Sequence, residues 1–219
     1  MVTKSTYDFL YNIATNNNKT WFDAHKDQYT TAKTEVETFV ADVLKKLSVH
    51  DPVFGTMDAR KCVMRIYRDV RFSKDKTPYK TNFGAGFTSN GGKMNGAGFY
   101  LHIEPEKCFA GGGMWQPEGP ALKAIRQEID YNFDEFRGIV EAPAFKKLFA
   151  QVDGDKLVKA PKDYADDNPA LEYLKLKSFT VSTNFADDVL MHADAAEKVA
   201  AAFLVMRPFV DFLNRATSH

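Results

Sequence analysis

Apolar residues at helical spacing open the chain, with Phe9, Leu10 and Ile13 on one face of a short helix that Ser5 or Thr6 can cap and the run Asn16-Asn17-Asn18 breaks. A longer helix is predicted from near Thr20, its stripe formed by Phe22, Tyr29, Val36, Phe39, Val40, Val43, Leu44 and Leu47, up to Asp51-Pro52. From about Val53 to Gly113 the pattern alternates and glycine becomes frequent, which predicts a meander of strands. Within it, residues 83–88 and 97–103 flank Asn90-Gly91-Gly92 and read as an antiparallel hairpin. Helical spacing returns with Leu122, Ile125, Ile129, Phe133, Phe136, Ile139 and Val140, and Pro143 starts another short helix. Residues 154–168 are loop-rich, 169–174 form a helical turn, and 178–183 alternate like one more strand. A last helix is predicted over 194–215, with Val199, Phe203, Met206, Val210 and Leu213 on its core stripe. These runs predict an α+β fold. A central, mainly antiparallel sheet at about 53–113, plus a strand near 178–183, is bracketed by N-terminal and C-terminal helices.

The chain has 219 residues, 44% hydrophobic and 26% charged, with no stretch that reads as a flexible linker, so a single domain over 1–219 is expected. Its 18 Phe, 9 Tyr and 2 Trp supply a large apolar surface for a core. The N-terminal stretch lacks the apolar run of a signal peptide, and the longest apolar run, 199–206, is too short to cross a bilayer. A cytoplasmic location without a membrane partner is the resulting expectation. Cys62 and Cys108, both in predicted strands, show no CxxC spacing and read as buried free thiols.

Formal net charge is zero, yet its distribution is uneven. Residues 60–80 hold eight Lys or Arg against two Asp, a net of +6, which leaves −6 for the rest of the chain. The run Arg65-Ile66-Tyr67-Arg68-Asp69-Val70-Arg71-Phe72-Ser73-Lys74-Asp75-Lys76-Thr77-Pro78-Tyr79-Lys80 lies at its centre. Together with Asn17-Asn18, Trp21-Phe22, Gly98-Phe99-Tyr100-Leu101-His102, 111–117 and 175–179, it resembles the signature of domain of unknown function 2461, a family found in bacteria and fungi. The chain departs at Lys19, where family members often carry Arg. The resemblance implies one domain with this segment as its centre and no activity to carry over.

Read as one strand, residues 62–72 would put Met64, Ile66, Arg68, Val70 and Phe72 on the core face and Arg65, Tyr67, Asp69 and Arg71 on the other. Arg68 then needs a carboxylate, for which Asp75 is the candidate. In the hairpin, Gly84, Gly86, Gly98, Tyr100 and His102 share the face opposite Phe83, Ala85, Phe87, Phe99, Leu101 and Ile103. That polar face is either the floor of a ligand site or a surface on which a helix packs. Pro78 ends regular structure, so 73–80 form a loop that brings Lys74, Lys76 and Lys80 near the arginines. Arg65, Tyr67, Arg71, Lys74, Lys76, Lys80, Tyr100 and His102 are therefore the candidate residues for a small anionic ligand, phosphate-bearing or carboxylate. Two other readings stay open: a non-catalytic module presenting the basic loop to a protein or nucleic-acid partner, and a structural ion-pair network without a ligand.

No sequence feature names a reaction. Walker A, dinucleotide, GxSxG and zinc-deaminase motifs are missing, so no cofactor or metal is expected. His102 and Asp69 are the candidates for proton transfer if chemistry occurs. Gly111-Gly112-Gly113 precedes a helical pattern and reads as an anion nest or a turn. The acidic remainder of the chain opposes a long polyanion, which argues against nucleic acid.

Overall fold

The computed structural model describes residues 1–88 and 96–218; the Asn90-Gly91-Gly92 turn lies outside them. Helix α1 (Lys4–Thr15) buries Thr6, Tyr7, Phe9, Leu10 and Ile13 along one face. Its N-cap is Thr3 rather than Ser5 or Thr6, whose place is inside the first turn. The hydroxyls of Thr3 and Thr6 instead donate to Glu35 Oε2, at 2.5 and 2.6 Å. The single helix expected from Thr20 is two: α2 (Lys19–Ala24) and α3 (Lys26–Ser48), with His25 non-helical between them. Asn18 starts α2 by accepting from Trp21 N at 2.9 Å. The imidazole of His25 stacks on Trp21 at 4.1 Å.

Proline at 52 opens a helix as well as closing one. Asp51 caps α4 (Pro52–Gly55), with Pro52 in the first turn where its missing N–H costs nothing. Asp58 caps α5 (Ala59–Cys62) in the same way. The expected strand meander therefore begins later than Val53, and Cys62 lies in a helix. Residues 62–72 do not form a strand: the ladder is reduced to isolated bridges, Val63 to Ala85 and Tyr67 to Tyr79. Local capping by Asp51 and Asp58 claims the backbone that alternation alone would assign to a sheet. Phe72, expected in the core, is 96% exposed.

Strands β1 (Phe83–Phe87), β2 (Gly98–Ile103), β3 (Cys108–Met114) and β4 (Phe179–Phe185) form one antiparallel sheet in the order β1-β2-β3-β4. Gly111-Gly112-Gly113 is part of β3 and not a nest before a helix. Gly113 has φ +120°, and a Cβ there would sit 2.0 Å from Phe179 O, so glycine is what lets the backbones of β3 and β4 approach.

By its contacts the chain divides into two compact units. The first comprises residues 1–88, 100–110 and 184–201. Its core joins α1 and α3 to β1, with Phe83 facing Phe9 and Tyr29, each at 6.3 Å. It also includes α10 (Asp187–Met191). The second unit comprises 96–99, 111–183 and 202–218, with α6 (Gly119–Tyr131), α7 (Phe133–Val140), α8 (Pro143–Leu148) and α9 (Leu171–Leu174). There Phe136 meets Tyr173, Phe209 and Phe212 at 4.9, 6.2 and 5.2 Å. Helix α11 (Ala195–Ala216) contributes residues to both units, as do β2, β3 and β4. Among the described residues no helix is long and apolar enough to cross a membrane.

Candidate functional site

The basic segment is held by a short antiparallel ribbon. Arg68 N donates to Pro78 O at 2.9 Å and Lys80 N to Ile66 O at 2.8 Å, so residues 69–77 are closed into a loop. The side chain of Asn17 then clamps the ribbon, its Nδ2 donating to Tyr79 O at 2.9 Å and its Oδ1 accepting from Tyr79 N at 3.0 Å. Phe22 stacks on Tyr79 at 4.1 Å and meets Tyr67 edge-on at 6.0 Å. Tyr67 is thus one edge of an aromatic cluster, with about half of its surface open to solvent.

Within the loop the charges separate into two groups. Arg68 Nη1 pairs with Asp75 Oδ2 at 2.5 Å and also donates to the Thr77 hydroxyl and to its carbonyl. Thr77 N and the Arg68 guanidinium hold Asp75 below the usual carboxylate range. Arg71 Nη2 pairs with Asp69 Oδ2 at 2.6 Å, and these hydrogen bonds pull Asp69 down in turn, making it a poor proton acceptor at neutral pH. The ammonium of Lys76 donates to Val70 O at 2.9 Å. The Arg71 and Lys76 contacts are local and exposed, and such contacts contribute little to stability.

Arg65 and Lys80 differ. Among the described residues neither has a carboxylate at ion-pair distance. Three lysines there are partly withdrawn from solvent: Lys33, which reaches Glu37 at 2.7 Å; Lys175, which reaches Glu172 at 3.7 Å; and Lys80, which reaches no acid. Burial pushes the Lys80 ammonium down from its ordinary pKa, and the Arg65 guanidinium adds to the effect. Lys74 is exposed at the rim.

Tyr100 and His102 come together on β2, as alternation predicts, but their partners are Asn82 and Glu104. His102 Nε2 lies 3.1 Å from Glu104 Oε2, while Nδ1 is 3.2 Å from Tyr100 Oη and 3.3 Å from Asn82 Nδ2. An amide nitrogen can only donate, so this arrangement puts the imidazole proton on Nε2, facing Glu104, with Nδ1 accepting. Thr81 Oγ1 donates to the other Glu104 oxygen at 2.9 Å, and Phe109 stacks on the imidazole at 4.8 Å. Burial pushes the Glu104 carboxyl up; hydrogen bonds from His102 and Thr81, with the Lys107 ammonium nearby, outweigh it and leave the group below its ordinary range. Gly84 explains how Tyr100 fits, since a Cβ there would be 2.5 Å from Tyr100 Oη. A hollow of about 400 Å3 opens beside His102, Glu104, Lys107 and Phe109. With both ring nitrogens engaged, His102 serves here as a pin between β2 and residues 81–82.

A family model described as conserved hypothetical protein matches residues 5–212 of the chain. The chain belongs to the DUF2461 family. No curated protein and no solved structure matches. The structure gives physical content to the DUF2461 signature: Asn17, Phe22 and the ribbon at 66–68 and 78–80 are separated in sequence and form one packed unit. The Asn16-Asn17-Asn18 run, which spacing marks as a helix breaker, holds both a cap and a clamp. Asn82, Thr81 and Glu104 carried no comparable signal, because single polar residues reveal their partners only when strands are placed. Among the described residues no three His, Cys, Asp or Glu side chains converge as metal ligands would.

Proposed function

We propose that this DUF2461 protein binds a small anion, phosphate-bearing or carboxylate, with Arg65 and Lys80 as the charged anchors and Lys74 at the rim. The observation that carries this reading is Lys80, a half-buried ammonium that feels the charge of Arg65, with no acid at ion-pair distance from either among the described residues. Withdrawing a cation from water is costly unless an opposite charge compensates, and a bound anion supplies that charge. Arg65 offers a planar fork for two oxygens, and Lys80 offers a point charge. Arg71, Arg68 and Lys76 support the site indirectly, since their contacts shape the loop.

Inorganic phosphate, sulfate and acetate at millimolar concentration provide the test, read by thermal melting. A ligand at a hundred times its Kd stabilises by about 2.7 kcal/mol, or about 5–10 °C for a chain of this size. Arg65→Ala should remove the response and Arg71→Ala should keep it. A melting temperature insensitive to all three anions, or an equal response in Arg65→Ala, would sink the proposal.

One feature favours a second reading, in which the loop docks on a macromolecule: Phe72 stands almost fully exposed between Arg71 and Lys74. Binding of a single-stranded oligonucleotide, weakening steeply with salt and lost in Phe72→Ser, would support it.

A further inference from the structure

We propose that the chain associates head to tail with a second copy of itself, the Phe72 ring of one copy entering an acidic, aromatic-walled hollow of the next. The inference rests on the docking reading of the loop and commits it to a protein partner. Phe72 is 96% exposed, and the loop that carries it is already ordered. Residues 69–77 are closed by the backbone bonds from Arg68 to Pro78 and from Lys80 to Ile66. Arg71, held by Asp69 at 2.6 Å, sets its guanidinium 5.9 Å from the centre of the Phe72 ring. A ring held out in water by a fixed loop loses little further entropy on docking. Lys74, two residues on, is exposed and reaches no acid at ion-pair distance among the described residues.

The complementary surface is built where α6 meets α7. Asp130, Tyr131, Phe133, Asp134, Glu135 and Pro169 are among the residues around a hollow of about 380 Å3, wide enough for one phenyl ring, and no cation lines it. Tyr131, 73% exposed, supplies an apolar wall in need of cover. Asp134 and Glu135 reach Arg137 and Arg215 at 2.9 and 2.7 Å through exposed contacts. Asp130 accepts from Asn168 Nδ2 at 2.6 Å and, among the described residues, has no cation at ion-pair distance. The two surfaces are therefore opposite in charge and matched in shape, a ring on one and a ring-sized hollow on the other. Segment 60–80 carries +6 and the rest of the chain −6, so a second copy offers the loop an acidic partner, whereas a long polyanion is repelled by that remainder. Loop and hollow are different surfaces, which makes the contact heterologous: association closes into a ring or continues as a chain. One aromatic anchor within a charged rim gives a weak interface, with a Kd on the order of 100 µM.

The test is sedimentation and light scattering of the full chain. Weight-average mass should rise with concentration through about 100 µM and fall back as salt is raised to about 0.5 M. Phe72→Ser should weaken association on the order of thirtyfold, and Tyr131→Lys, which removes the apolar wall and repels the loop, should do the same from the other surface. Both positions are exposed, so both variants should melt as the wild type does. Each variant alone should stay monomeric. Mixed in equal amounts they retain one intact loop and one intact hollow, and should form a one-to-one heterodimer that grows no further. A chain monomeric at every concentration, association unchanged by Phe72→Ser, or a mixture that stays monomeric overturns the inference. In any of those cases, salt-sensitive binding of a single-stranded oligonucleotide that is lost in Phe72→Ser assigns the loop to nucleic acid instead. If that binding is also missing, the docking reading falls with the inference, and the phosphate response of Arg65 is judged separately by melting.

Discussion

Lys80 shows what the lack of a counter-charge does to a single residue. Its ammonium is disfavoured by burial and by Arg65, so the unfolded chain holds that proton to higher pH than the folded chain. Lys80 therefore costs stability at neutral pH, and the cost is relieved as pH rises toward the unfolded-state value of about 10.4. Lys80→Met keeps the aliphatic stem and removes the charge. It should raise the melting temperature at pH 7, with the gap to wild type narrowing as pH rises toward about 10.4, while abolishing the anion response. Glu104 has the opposite sign. Its carboxyl is held below the unfolded-state range, so the stability it contributes is present above about pH 4.3 and is lost as pH falls through the folded value. Glu104→Gln should flatten the acid limb of a urea-midpoint titration over that window and leave the alkaline limb unchanged. An acid limb identical to wild type would remove Glu104 from the account. Arg68, by contrast, was legible from the sequence: a guanidinium on the predicted core face needed an acid, and Asp75 supplies it.

Elements differ in what sets their boundaries. α1 and α11 lie close to where apolar spacing puts them because an amphipathic stripe persists over many residues. Residues 52–82 depart most, because Asp51 and Asp58 cap short helices that compete locally with alternation. Glycines make the contrast measurable. Gly113 sits at φ +120° with Phe179 O where a Cβ would go, so Gly113→Ala must separate β3 from β4 and should cost about 3 kcal/mol or more in urea denaturation. Gly138, inside α7, has nothing within 4 Å of the Cβ position. Gly138→Ala should stabilise by about 0.5–1 kcal/mol through helix propensity alone. Similar costs at both positions would mean that strand spacing is softer than the geometry requires.

For the whole molecule, the question is whether the two compact units unfold together. β2, β3 and β4 each give residues to both, and a strand cannot keep half of its ladder while the other half melts without exposing backbone groups. One cooperative transition is expected, the behaviour of a single domain. Hydrogen exchange in graded urea should show α3, in the first unit, and α6, in the second, losing protection at one midpoint; two midpoints would divide the chain into two domains. The cysteines give an independent reading. Cys62 and Cys108 are buried free thiols, and burial pushes Cys108 up to about 11, so iodoacetamide should leave both intact at pH 8 until that same transition exposes them.

By itself the sequence determined the α+β class, the long helices, the hairpin arms of the sheet and family membership, because periodicity and a contiguous signature are properties of neighbouring residues. It also located the concentration of positive charge. Only the tertiary structure decided which of those charges is compensated. Arg68 and Arg71 find acids within their own loop, whereas the environment of Lys80 depends on the pairing of 66–68 with 78–80 and on Asn17 from a distant turn. Burial and counter-charge are sums over neighbours that chain order does not specify. The same reason separates His102, which alternation put on the correct strand face, from Asn82, Thr81 and Glu104, which fix its role.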